Sequence, residues 1–277
     1  MRLEAGDPSA PDRLTGHVVL DIEGEPTTFQ ITVPAGPLAP EDLLPVFQGL
    51  TDAVVAAAGR RVERQGETIS CRAGCGACCR QLVPVSEAEA RGLASLVAAA
   101  PEPRRSEVRS RFEAALASLE SGGLLTRLES VTRNGGEDVV ELGLDYFRRR
   151  IACPFLEQES CSIHADRPLS CREFLVTSPP EHCAAPRVET VRSVRLARTS
   201  LGLAAASRAV THDGWIPLVT ALRFAARSPP SARDRSGPEI LREVIDGGRP
   251  GTRAANTLST IHPPSARRPK RSRAGTR

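Results

Sequence analysis

The stretch SCRAGCGACCR, residues 70–80, decides how this chain must fold, because it places four cysteines, Cys71, Cys75, Cys78 and Cys79, within nine residues. Gly74, Gly76 and Ala77 leave no bulky side chain between the later sulfurs, so the backbone can wrap closely round an ion or a cluster. Consecutive side chains point in different directions in a helix or a strand, so Cys78 and Cys79 together suit two metal centres, or a multinuclear one, better than a single tetrahedral ion. A second group begins about 75 residues later, with Cys153 and Cys161 in ACPFLEQESCSIH (152–164), Cys171 in DRPLSCREF (166–174), and then Cys183. Regular periodicity disappears between Cys153 and Cys183, where Pro154, Pro168, Pro179 and Pro180 break any long element. That segment needs an organiser other than an apolar face, and metal ligation by the cysteines supplies one.

Eight sulfurs can make two four-thiolate zinc sites, or one iron–sulfur cluster with a second ion, and His164 or His182 can replace a sulfur. Four thiolates round Zn²⁺ or a [4Fe–4S]²⁺ core leave a net charge of about −2, which nearby cations would offset. Arg72, Arg80, Arg167 and Arg172 stand beside the cysteines and are the candidate cofactor-binding cations; the alternative is a solvated face in an arginine-rich protein.

Outside these strings the chain reads as a globular protein of 277 residues, 40% hydrophobic and 25% charged. Aromatic residues make up only 3%, so its core rests on Leu, Val and Ala and has room for metal staples. The net charge of +4 is local: residues 251–277 hold seven Arg and Lys and no acid, leaving the first 250 residues at −3. A single lysine, Lys270, among 37 basic residues records a GC-rich genome rather than a chemistry. The first residues, MRLEAGDPSAPDRLT, lack the apolar stretch of a secretory signal, and no run approaches the roughly 18 apolar residues of a membrane span. A cytoplasmic protein without membrane partners is expected. In that reducing compartment, four disulfides explain eight cysteines poorly.

Val18, Leu20 and Ile22, then Phe29, Ile31 and Val33, alternate as two strands of a ribbon turning at Glu23–Pro26. Leu43, Phe47, Leu50, Val54, Ala58 and Val62 recur at helical spacing from Pro40 to a stop at Gly66. Ser86 and Glu89 form a capping box for a helix through about Ala99, and Val108, Phe112, Ala115 and Leu119 mark another ending at Gly122 and Gly123. Residues 188–210 mix strand and helix spacing, whereas Trp215 to Ala226 and Pro238 to Ile245 read as helices. The expected fold is mainly α with a small N-terminal β-ribbon and an irregular, metal-centred core. Residues 1–37 carry the hairpin, 38–247 form a helical cysteine-cluster domain, and 248–277 form a disordered basic tail.

The three cysteine strings resemble the YkgJ-type cysteine-cluster proteins, also described as zinc- or iron-chelating domains. The pattern of that family is C-x(2–4)-C-x2-CC, then CPFL, C-x-I-[YH], RP and CR. Here it is carried by Cys71, Cys75, Cys78, Cys79, Cys153, Pro154, Phe155, Leu156, Cys161, Ile163, His164, Arg167, Pro168, Cys171 and Arg172. The resemblance spans roughly residues 68–185. Cys183 lies outside its strictest part, and His164 stands where many relatives have Tyr, which implies packing or hydrogen bonding more than ligation. Metal binding is what the resemblance implies. Some longer relatives are described as flagellin lysine N-methylases, and that activity is not carried over, because no glycine-rich nucleotide-binding motif occurs here.

Several other functions compete. Cys71, Cys75 and Cys78 satisfy the C-x3-C-x2-C spacing of radical S-adenosylmethionine enzymes, yet a helix precedes the triplet and no βα alternation follows it. The vicinal Cys78–Cys79 pair could serve thiol redox chemistry or metal transfer. Nucleic-acid binding rests only on Arg267, Arg268, Lys270, Arg271 and Arg273 of the tail, which lack interleaved aromatics. No HExxH, GxSxG or P-loop string occurs, so no reaction is assigned. The expected function is a metal-binding cysteine cluster, with iron as an iron–sulfur cluster slightly ahead of zinc because more than four sulfurs suit a multinuclear centre.

Overall fold

The computed structural model describes residues 2–5, 12–22, 25–136, 138–187 and 189–247; the expected basic tail, 248–277, lies outside the described residues. Three antiparallel strands open the chain, β1 (Arg2–Ala5), β2 (Arg13–Ile22) and β3 (Glu25–Pro34), in the order β1-β2-β3. The expected ribbon is therefore longer by several residues and has a third strand. Period-two alternation sends Val18 and Ile22 of β2 and Ile31 and Val33 of β3 to one buried face. Two residues at Pro37–Leu38 (β4) lead into a 3-10 turn at Pro40–Leu43 and helix α1 (Leu44–Arg64).

Helix α1 buries Phe47, Leu50, Val54, Ala58 and Val62, the stripe its spacing predicts, and Gly66 follows its end at φ +74°. The hairpin packs its apolar face against this stripe and against Ile240, Leu241 and Val244 near the end of the chain. Strand β5 (Pro84–Ser86) runs into α2 (Glu87–Ala99). The capping box is present: Ser86 Oγ accepts from Glu89 N at 3.1 Å, and Glu89 Oε2 accepts from Ser86 N at 2.7 Å. Helix α3 (Arg104–Ser121) buries the expected Val108, Phe112, Ala115 and Leu119 and stops at Gly122. Two helices follow, α4 (Leu124–Asn134) and α5 (Val139–Arg148), closing a core with Leu119, Leu128, Leu142, Tyr146 and Trp215.

The irregular segment resolves into short pieces: a hairpin of β6 (Leu156–Glu157) and β7 (Ser160–Cys161), α6 (Leu169–Glu173) and α7 (Pro180–Ala184). Within the mixed signal at 188–210, the described residues 189–198 form a turn and irregular chain bridged at Val176–Ser193, and α8 (Thr199–Ser207) follows. Helix α8 is buried nearly all round, so its apolar residues show no one-sided stripe. The helix expected from Trp215 to Ala226 is corrected. Pro217 ends a strand, β8 (Trp215–Pro217), which pairs with β5, and only α9 (Ala221–Arg227) is helical beyond a 3-10 turn. Strand β9 (Arg235–Ser236) pairs with β4, and α10 (Gly237–Gly247) ends the described chain. The fold is mainly helical with a small N-terminal β-ribbon, and no helix among the described residues is long and apolar enough to cross a membrane.

Candidate metal centre

The 70–80 stretch turns because Gly74 adopts φ +79°, a left-handed conformation that favours glycine. Cys75 N donates to Arg72 O at 3.2 Å, and a 3-10 turn, Ala77–Arg80, then carries the vicinal cysteines. Gly76 serves a different purpose. A Cβ there would stand 2.7 Å from Leu156 Cδ1, 2.8 Å from Glu159 Oε2 and 3.0 Å from the Glu159 carbonyl oxygen, so the absence of a side chain lets the β6–β7 hairpin close on the loop without displacing either residue.

Backbone bonds lock the two halves together: Cys153 N donates to Cys79 O at 2.8 Å, and Ser70 N donates to Val176 O at 2.9 Å. The Gln81 side chain adds a donor to Cys183 O at 3.3 Å. Phe155 of the CPFL string is buried edge-on against Phe112 of α3, ring centroids 5.4 Å apart, which anchors Cys153 to the helical core. The carboxylate of Glu89 accepts from Leu169 N at 2.7 Å and so fixes the start of α6, one turn that carries Cys171. Glu173 at the other end of α6 accepts from Ser200 N at 2.8 Å and from its hydroxyl.

These supports bring all eight cysteines to the walls of two adjoining cavities. The larger, about 220 Å³, is lined by Cys71, Cys75, Cys78, Cys171 and Cys183; the smaller, about 100 Å³, by Cys75, Cys78, Cys79, Cys153, Cys161 and Cys171. None is in a disulfide; Cys183 is buried and the other seven are partly so. Cys78 faces both cavities and Cys79 only the smaller. Burial pushes the thiols of Cys71, Cys153, Cys161, Cys171 and Cys183 up, Cys153 and Cys183 each to about 12, and neighbouring thiols add to the effect. For Cys78 the neighbouring Cys79 side chain is the largest cause of a strong upward displacement.

The four arginines part company. Arg80 is spent on Glu159, with bonds of 3.0 and 2.5 Å, and on Gly76 O at 3.2 Å. Arg172, 4% exposed, donates to both Asp52 oxygens at 2.7 and 2.6 Å, to Arg167 O at 3.0 Å and to Ala165 O. Arg72 and Arg167 line both cavities. Arg167 bonds His164 Nε2 at 2.6 Å, while its Nε is buried with no hydrogen-bond partner among the described residues. His164 lines both cavities, whereas His182 Nδ1 sits 2.9 Å from Thr190 O. Asp52, Glu89 and Glu159, the carboxylates that hold this framework, carry no signal of that role in the sequence beyond the capping box of Glu89.

The donor set fits a thiophilic ion: sulfur from three stretches of chain, cationic neighbours, and no carboxylate among the lining residues. The thiols form cavity walls rather than a finished coordination shell, since among the described residues no three Cys, His, Asp or Glu side chains are grouped closely enough to hold one ion. All strand pairs described are antiparallel and the C-x3-C-x2-C loop follows α1, unlike the loop after the first strand of a parallel barrel.

No curated protein and no solved structure matches the chain. Residues 70–188 match the family CxxCxxCC, described as "Putative zinc- or iron-chelating domain", the stretch that holds every cysteine and every lining arginine of the two cavities. The cysteine-bearing stretch, residues 70–188, is thus similar to the CxxCxxCC family of zinc- or iron-chelating domains.

Proposed function

We propose that the chain is a metal-binding protein whose thiolate-rich centre takes iron or zinc through Cys71, Cys75, Cys78, Cys153, Cys161, Cys171 and Cys183, with Cys79 at its edge. The observation that carries this reading is the convergence of all eight free cysteines on two adjoining cavities that hold no acidic side chain. Arg72 and Arg167 offset the charge of the ligated thiolates, while Arg80 and Arg172 hold the framework. Iron, as an iron–sulfur cluster, and thiolate-bound zinc are the two forms this donor set supports, and the number of sulfurs favours a multinuclear centre. The metal also joins segments that share only short elements, so binding energy becomes folding energy.

The test is anaerobic purification under reducing conditions, followed by elemental analysis, acid-labile sulfide assay and visible absorption. Iron with sulfide and a brown colour, or zinc without either, supports the reading and names the metal. Eight reactive thiols with no bound metal would overturn it.

A further inference from the structure

Tyr146, the only tyrosine of the chain, stands on α5 in the core shared with Leu128, Leu142 and Trp215, and is 2% exposed. A buried phenol is ordinarily hydrogen-bonded, yet among the described residues the Tyr146 hydroxyl forms no hydrogen bond. Tyr146 lines instead a cavity of about 10 Å³, together with Gln81, Val83, Cys153, Pro217 and Leu218. That volume is about one water, so the groups on its wall stand at most one water apart. Other polar groups there are already engaged. Val83 O accepts from Leu218 N at 2.9 Å and Pro217 O from the Thr220 hydroxyl at 2.8 Å, while the Gln81 amide donates to Cys183 O at 3.3 Å. Cys153 spends its N–H on Cys79 O at 2.8 Å and lines both this cavity and the smaller thiol cavity.

We propose that Tyr146 is a positioning residue of the metal centre, its hydroxyl donating a hydrogen bond across this cavity to the Cys153 sulfur, directly or through one water, once that sulfur is ligated. This rests on the thiolate centre proposed above and adds a residue that tunes it. A thiol is a weak acceptor, whereas the thiolate left when Cys153 gives its proton to solvent on ligation accepts strongly. The bond satisfies a buried donor, orients Cys153 and withdraws electron density from its sulfur, which is how hydrogen-bond partners of metal ligands set affinity and spectrum. The phenol keeps its proton throughout, so no further charge is buried.

Tyr146→Phe removes one oxygen and leaves the ring in the core. The full chain and this variant, stripped of metal under reducing conditions, would be titrated with Co²⁺ against a competing chelator. The expected result is equal cobalt content, a thiolate-to-cobalt absorption band moved to longer wavelength in Tyr146→Phe, and an affinity lowered about tenfold, because the sulfur loses a donor that stabilised its electrons. Tyr146 also reports from its own side: with ¹³C at the ring carbon that bears the hydroxyl, the single tyrosine resonance should move when Zn²⁺ binds. That movement should be absent from Cys153→Ala, whose remaining cysteines are loaded at higher Zn²⁺. This second measurement decides if Tyr146→Phe does not fold. A band and affinity unchanged by Tyr146→Phe, a resonance indifferent to Zn²⁺, or one that moves equally in Cys153→Ala would overturn the Tyr146 donor while leaving the thiolate centre. An unaltered chain that binds neither Co²⁺ nor Zn²⁺ would overturn both.

Discussion

Replacing Gly76 by alanine should separate the two halves of the cysteine cluster, whereas the same change at Gly74 should not. At Gly76 φ is −93°, which alanine adopts freely, so the cost lies in space. The new methyl would meet the end of Leu156 at 2.7 Å, which can rotate, and the Glu159 carbonyl at 3.0 Å, which belongs to the hairpin backbone and cannot. Overpacking of this kind costs about 1–3 kcal/mol, or about 2–4 °C of melting temperature per kcal/mol for a domain of this size. At Gly74 the space is open and the cost of about 1–2 kcal/mol comes from φ +79° alone. The assay is urea unfolding of the metal-free chain combined with metal competition against a chelator, run with and without Leu156→Ala. Shrinking Leu156 should recover part of the Gly76→Ala loss and none of the Gly74→Ala loss, the signature of neighbours against independent sites. If Gly76→Ala adds to Leu156→Ala without coupling and leaves metal affinity unchanged, the close approach of loop and hairpin is not what assembles the centre.

Arg172→Met should destabilise by about 2–4 kcal/mol, because the carbonyls of Ala165 and Arg167 lose a buried charged donor; a double-mutant cycle with Asp52→Asn isolates the ion pair, and a change under 0.5 kcal/mol would show the arginine to be idle. Gln158 and Glu159 turn the β6–β7 hairpin at φ +48° and +57°, so Gln158→Gly should stabilise by about 1 kcal/mol in thermal unfolding, and a loss would mean that this turn is not strained. Chelation under reducing conditions should lower the melting temperature of the metal-loaded chain by several degrees, and equal melting with and without metal would remove the structural role. Deletion of residues 251–277, which contain no cysteine, should leave the metal count as it is.

The parts of the fold that could be read ahead are those whose energetics are local. The α1 stripe from Phe47 to Val62, the Ser86–Glu89 capping box and the face of α3 each repeat a period or a short-range bond that neighbouring residues specify. Helix α8 escaped because burial on all sides erases the stripe, and the run from Trp215 was misread because strand β8 exists only by pairing with β5, more than 120 residues earlier. The cysteine positions pointed to the site, since thiols can be recognised by type and spacing. The fates of the arginines could not be foreseen: Arg80 and Arg172 are held by the carboxylates of Glu159 and Asp52, which come from other segments of the chain.

X-ray absorption at the edge of whichever metal the purified protein carries tests the central claim most directly, because it reads the donor atoms themselves. The account predicts a first shell of sulfur alone, at about 2.3 Å if the metal is zinc, and a fall in metal content when Cys153 or Cys171 is replaced by serine. A shell of nitrogen and oxygen, or a metal content indifferent to those cysteines, would contradict it.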